Sequence, residues 1–121
     1  VWIKSGVRNM RVSARVLDGV YGRSAVGLPA RIERIGRDRW ESIASGETDV
    51  HGQIVDWTEK VFERCAHRIV FDTDAYFAAL GVTAAYSEVP VTIRHLDGAE
   101  NCWIHVVLAP SSYSTYFGTD G

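Results

Sequence analysis

Period-two alternation runs through most of the chain. "MRVSARVLD" sets Val12, Ala14 and Val16 on one side and Ser13, Arg15 and Leu17 on the other. "CWIHVVLA" sets Cys102, Ile104, Val106 and Leu108 against Trp103, His105 and Val107, and "VPVTIRHL" puts Val89, Val91 and Ile93 on one face. Such alternation marks strands buried on one side. "CAHRIVFD" alternates less cleanly. Turn chemistry separates these runs at "LDGVYGRS", "ERIGRDR", "VHGQ", "HLDGAEN" and "APSS". One segment has helical spacing instead. "DTDAYFAALG" repeats Tyr76, Phe77 and Leu80, offers Asp72 or Thr73 as an N-cap and ends on Gly81. Many short strands with regular turns and one short helix predict an all-β, two-sheet sandwich.

The length of 121 residues suits one domain, and 46% hydrophobic residues suffice for its core. Residues 1–9, "VWIKSGVRN", are the least patterned and read as an N-terminal arm or an added edge strand, with the domain running over 10–121. A formal net charge of -2 argues against a general nucleic-acid or anionic-membrane binder. No apolar run approaches a membrane span, and no signal peptide is visible, so a cytoplasmic protein is expected. Cys65 and Cys102 sit in apolar runs and read as small buried hydrophobes. His51, His67 and His95 lie near turns or strand ends and are expected to be solvated. Their scattered spacing gives no metal signal, and no cofactor motif is present.

Several motifs together resemble the transthyretin family, which includes 5-hydroxyisourate hydrolase. They are "VSARVLDGVYGRSAVGLPARI", "RWESIASGETDVHGQI", "IVFDTDAYFAALGV" and the closing "LAPSSYSTYFG", in order over roughly residues 10–119. The resemblance implies two four-stranded sheets with one short helix. It also implies a homotetramer, a dimer of dimers, whose ligand sites lie in a channel lined by the final strand. That would explain why the chain approaches its end on an aromatic, hydroxyl-rich "SSYSTYFG".

The residues that resemble the hydrolase site depart from its pattern. Arg15 stands where the first-strand histidine is expected, and Gln53 where an arginine follows the turn glycine. Aligned on Pro110, Trp103 stands where the penultimate-strand histidine is expected, and His105 on a proline position. Phe117 stands in place of the arginine of Tyr-Arg-Gly-Ser. A bulge between His105 and Pro110 would move His105 toward the histidine position. Ring-amide hydrolysis needs a base for water and cations for the anionic substrate and its oxyanion. Arginine, glutamine, tryptophan and phenylalanine supply no base. The chain also differs from the hormone carriers. They place a lysine at the Arg15 position, but a small residue at that of Tyr116.

Strand parity places Arg15, Leu17, Trp103, His105, Val107, Ser114 and Tyr116 in one lining set. Gln53 and Phe117 join as further binding residues through the resemblance. Arg15 suits a carboxylate or enolate, and Trp103 suits stacking on a ring. His105 exchanges protons near neutral pH, with Tyr116 as a hydroxyl partner. These residues predict a pocket for a small aromatic or heteroaromatic acid, with Arg15, His105 and Tyr116 as the catalytic group. The chemistry would be cofactor-free proton transfer: cyclisation, ring opening or isomerisation. The alternatives are a non-catalytic carrier and a retained 5-hydroxyisourate hydrolase.

Overall fold

The computed structural model describes residues 11–55, 66–94 and 101–120. The 1–9 arm, Cys65 and His95 lie outside these residues. The described strands are β1 (Arg11–Asp18), β2 (Arg23–Ser24), β3 (Pro29–Ile35), β4 (Trp40–Glu47), β5 (Gln53–Ile54), β6 (His67–Phe71), β7 (Val89–Ile93), β8 (Asn101–Ala109) and β9 (Ser112–Asp120), with one helix, α1 (Thr73–Ala78), between β6 and β7. One sheet runs β2-β1-β8-β9, and the two-residue β5 joins the same edge of β1 as β2. The other sheet runs β4-β3-β6-β7. This is the all-β sandwich with one short helix that the pattern predicts. The first sheet has five strands where four were expected, because β2 and β5 both pair with the outer edge of β1.

Alternation builds the core. Val12, Ala14 and Val16 of β1 and Cys102, Ile104, Val106 and Leu108 of β8 face inward and are buried. Ile32, Ile69, Phe71 and Val89 meet them from the other sheet. A fully buried side chain such as Phe71 contributes about 3–5 kcal/mol against truncation to alanine. The uneven pattern of β6 has two sources. Val70 is buried on the outer face, between its cross-strand partners Arg31 and Pro90. His67 is not solvated as expected: it is 1% exposed, on the inward parity shared with Ile69 and Phe71. Pro90 fits because β7 is an edge strand, where no ladder needs its missing N–H. Cys102 is buried as expected, and burial pushes its thiol pKa up.

The helix begins where the capping signal lies. The Asp72 carboxylate accepts from the Ala75 N–H at 3.0 Å, and Gly81, at φ +75°, turns the chain beyond the last turn. Tyr76 and Phe77 pack inward from it. On the outer face of the second sheet, Glu33 accepts from Arg31 at 2.7 Å and Arg68 at 2.6 Å. Burial alone would raise the Glu33 pKa, but the two guanidiniums outweigh it and hold it below the usual range. No described helix is long and apolar enough to cross a membrane.

Candidate functional site

Three adjacent rows of outward residues occupy the middle of the first sheet, beside a further row of Arg11, Asn101 and Asp120. β1 and β8 run parallel with Arg15 beside His105, and β8 pairs antiparallel with β9, setting His105 beside Tyr116. Across the other edge of β1, Arg15 faces Gln53 of β5. The central row therefore reads Gln53–Arg15–His105–Tyr116. On one side runs Ser24–Leu17–Val107–Ser114, and on the other Ser13–Trp103–Gly118. Both ladders of β8 keep one register from end to end, so no bulge shifts His105 relative to Pro110.

The side chains form a strip of rings beside a cation. The His105 imidazole stacks on Tyr116 with centroids 4.5 Å apart and planes 8° from parallel. Trp103, two residues along β8, has its ring centroid 6.0 Å from that of His105. Arg15 is exposed, and no ion pair to it forms among the described residues. These three rows contain no Asp or Glu. Such a surface favours a planar anion: the guanidinium takes the charge and the rings take the flat face. Leu17, Val107 and Tyr116 are 39%, 40% and 65% exposed, which gives the face an apolar character.

The Asp49–Gln53 turn brings Gln53 to Arg15. The Asp49 carboxylate accepts from the N–H groups of His51 and Gln53 at 2.8 and 3.0 Å, and these bonds hold its pKa below the usual range. Gly52 sits at φ +72°, and its carbonyl accepts from Val16 N–H at 2.8 Å. A Cβ there would stand 2.5 Å from the Val16 carbonyl oxygen. Only glycine lets the turn lie this close to β1. His51 of the same turn is exposed.

A second support lies at the end of β1. Asp18 is fully buried and accepts from Val20 and Tyr21 N–H at 2.8 and 3.0 Å. The Tyr76 hydroxyl donates to its other oxygen at 2.6 Å. Burial, then this bond to a carboxylate, pushes the Tyr76 pKa up to about 12. The helix is thereby tied to the end of β1.

Eight of the nine expected site residues share this face. Phe117 does not. It pairs with Ile104, which points into the core, so Phe117 faces the inner side of the open sandwich edge. There it lines a cleft of about 370 Å³ with Val91, Ile93 and Thr115. Its position was assigned by likeness to a family motif, whereas strand parity puts neighbours 116 and 117 on opposite faces. Three residues of these rows were missed: Ser24, which pairs with Leu17 from β2, Ser13 and Gly118. Ser13 is 7% exposed in the Trp103 row, and Gly118 is Trp103's partner on β9. The parity of β1 already put Ser13 beside Arg15, and extending that of β9 by one step reaches Gly118.

This topology and site face can be compared with known proteins. The model of the HIUase/Transthyretin family matches residues 12–118. The chain belongs to this family. Its curated relatives include a probable 5-hydroxyisourate hydrolase of Caenorhabditis elegans, 31% identical over 118 residues, covering 96% of this chain and 87% of the relative. The 5-hydroxyisourate hydrolase of Salmonella typhimurium is 29% identical over 112 residues, covering 92% and 82%. Among solved structures, sea bream transthyretin in complex with thyroxine superimposes with a TM-score of 0.83 at 29% identity, covering 91% of this chain and 96% of that one. Klebsiella pneumoniae 5-hydroxyisourate hydrolase shares the fold, with a TM-score of 0.80 at 23% identity, covering 90% and 98%. This member of the HIUase/transthyretin family is thus similar both to named 5-hydroxyisourate hydrolases and to a thyroxine-bound transthyretin.

Proposed function

We propose that this family member binds a small aromatic or heteroaromatic acid on the Gln53–Arg15–His105–Tyr116 row and moves a proton on it. The observation that carries the reading is the juxtaposition of Arg15, without an ion pair among the described residues, with the stacked His105–Tyr116 pair in one row of cross-strand partners. Arg15 anchors the acid group. Trp103 and Tyr116 hold the ring, Gln53 offers an amide donor and acceptor, and Leu17, Val107 and Ser114 close the apolar end. His105 accepts a proton from an acidic position of the ligand and returns it elsewhere. The net change is an isomerisation or an intramolecular ring opening or closure, which needs no oxidant, reductant or cofactor. The exposed apolar face is closed by a second copy, in a tetramer built as a dimer of dimers.

Arginine at the position of the hydrolase's first-strand histidine argues against hydrolysis of 5-hydroxyisourate, because the base that activates water is gone. A carrier without catalysis is the second reading, and the likeness to a thyroxine-bound transthyretin favours it. Phenylpyruvate separates the readings. It is a planar aromatic acid whose keto–enol exchange reports proton transfer. The proposal expects wild type to bind it and speed the exchange. His105→Ala should bind it without speeding the exchange, and Arg15→Ala should lose the binding. Binding with no acceleration in wild type would favour the carrier. No binding to wild type, or binding that ignores Arg15, would overturn the site.

A further inference from the structure

The sandwich is open along one edge. β7 ends the second sheet and β9 ends the first, and each has one hydrogen-bonded neighbour among the described strands, β6 or β8. Between them lies the cleft of about 370 Å³ that Phe117 lines. Strand parity builds its walls. Val91 and Ile93 of β7 pair with Ile69 and His67, both buried, so they face inward. Thr115 and Phe117 of β9 face inward in the same way, opposite the buried Val106 and Ile104. Ile104 reaches the cleft from the core. Phe117 keeps 38% of its surface open there.

One cation lines this apolar cleft. Arg94, the residue that follows β7, is exposed, and no ion pair to it forms among the described residues. No described Asp or Glu lines the cleft. Val91, Ile93 and Ile104 offer burial to hydrocarbon, and the guanidinium beside them sets the sign of the head group that fits. The volume lies at the small end of the roughly 300–1,000 Å³ usual for small-molecule sites. β9 is the wall between this cleft and the Arg15 row. Phe117 turns to the cleft, and the Tyr116 ring stacks on His105 in the row.

We propose that the cleft between β7 and β9 is a second binding site, for a single-chain aliphatic carboxylate whose tail lies against Val91, Ile93, Ile104 and Phe117 and whose head group pairs with Arg94. The inference stands without the reading of the Arg15 row. Its two parts contribute unequally. Arg94 is exposed, so its ion pair forms in water and adds only a few-fold in affinity. The tail supplies the larger share, through the apolar surface it removes from water.

Calorimetric titration of the full chain with butanoate, hexanoate and octanoate tests it, with octylammonium as the charge control. Affinity should rise about threefold to fourfold with each added methylene, and octanoate should bind more tightly than octylammonium. Arg94→Ala should weaken octanoate by about threefold to fivefold and remove its advantage over octylammonium. Thr115→Phe, which puts a ring into the cleft, should weaken octanoate by about tenfold or more. Arg15→Ala should leave octanoate binding unchanged. The melting temperature of Arg94→Ala should match wild type, which separates loss of the site from loss of the fold. Octanoate binding unchanged in Arg94→Ala would overturn the cleft site, and its loss in Arg15→Ala would place the anion on the outer face instead. Affinity that does not grow with chain length would overturn the apolar seat. No binding of any of these acids to wild type, as when a second copy covers the β7–β9 edge, would overturn the proposal outright.

Discussion

The His105 imidazole lies flat on the Tyr116 ring, 4.5 Å between centroids and 8° from parallel, as cross-strand partners on the outer face of the first sheet. The contact fixes the plane of the one imidazole in the row. Tyr116→Phe keeps the ring and removes the hydroxyl, and Tyr116→Ala removes both. If stacking is what orients His105, the phenylalanine variant should keep phenylpyruvate affinity within about threefold. The alanine variant should lose about 0.5–1.5 kcal/mol. Equal losses by calorimetry would assign the role to the hydroxyl instead.

Gly52 ties the stability of the fold to the placement of Gln53. Gly52→Ala would force a Cβ to 2.5 Å from the Val16 carbonyl oxygen at a positive φ. The expected cost is about 1–3 kcal/mol in chemical denaturation. The turn should also move away from β1, breaking the 2.8 Å bond between Val16 N–H and the Gly52 carbonyl. Faster amide exchange at Val16 in this variant, with amides of β3 and β6 unchanged, is the expected local signature.

Tyr76 predicts an alkaline limit to stability. Its hydroxyl titrates near 10 when unfolded and near 12 in the fold, raised first by burial and then by its bond to Asp18. Below pH 10 both states hold the proton and the contribution is complete. Between about pH 10 and 12 the unfolded chain releases it while the fold retains it, so stability falls as pH rises. Wild type should lose ~2 kcal/mol across this window beyond the loss from other groups. Tyr76→Phe should lack that component and, with Asp18 deprived of a donor, be about 1–3 kcal/mol less stable at neutral pH. Urea denaturation at several pH values measures both.

Leu17, Val107 and Tyr116 are exposed large hydrophobic side chains on one face of the first sheet, the kind of patch that a second copy covers. Sedimentation should find a tetramer. Leu17→Glu, which puts a carboxylate into the apolar end of that face, should release smaller species while retaining the β-rich circular dichroism spectrum. Deleting the Tyr113–Phe117 segment should abolish the tetramer together with the fold. A compact monomer after that deletion would contradict the architecture.

Much of this was legible in the chain because alternation is a strong signal in strands with one buried face. The parities of β1, β8 and β9 placed Arg15, Trp103, His105, Ser114 and Tyr116 together before any contact was known. What stayed hidden depended on other physics. Two-residue strands such as β2 and β5 carry no period, so Gln53 entered through resemblance, and its pairing with Arg15 appears only in the folded chain. Phe117 entered the same way and fell on the wrong face, because a family motif names positions without fixing which side of the strand they occupy. His67 looked like a solvated strand-end residue, yet its parity with Ile69 and Phe71 carried the correct answer. The bond between Tyr76 and Asp18 joins residues 58 apart and has no local trace in either segment.

The most direct measurement is the decay of fresh 5-hydroxyisourate, followed spectroscopically with purified wild type beside Arg15→Ala. The account predicts decay at the uncatalysed rate in both, because Arg15 stands where the resemblance calls for a histidine. Accelerated decay in wild type that Arg15→Ala abolishes would contradict it: the row would then be a rebuilt hydrolase site with Arg15 essential to it.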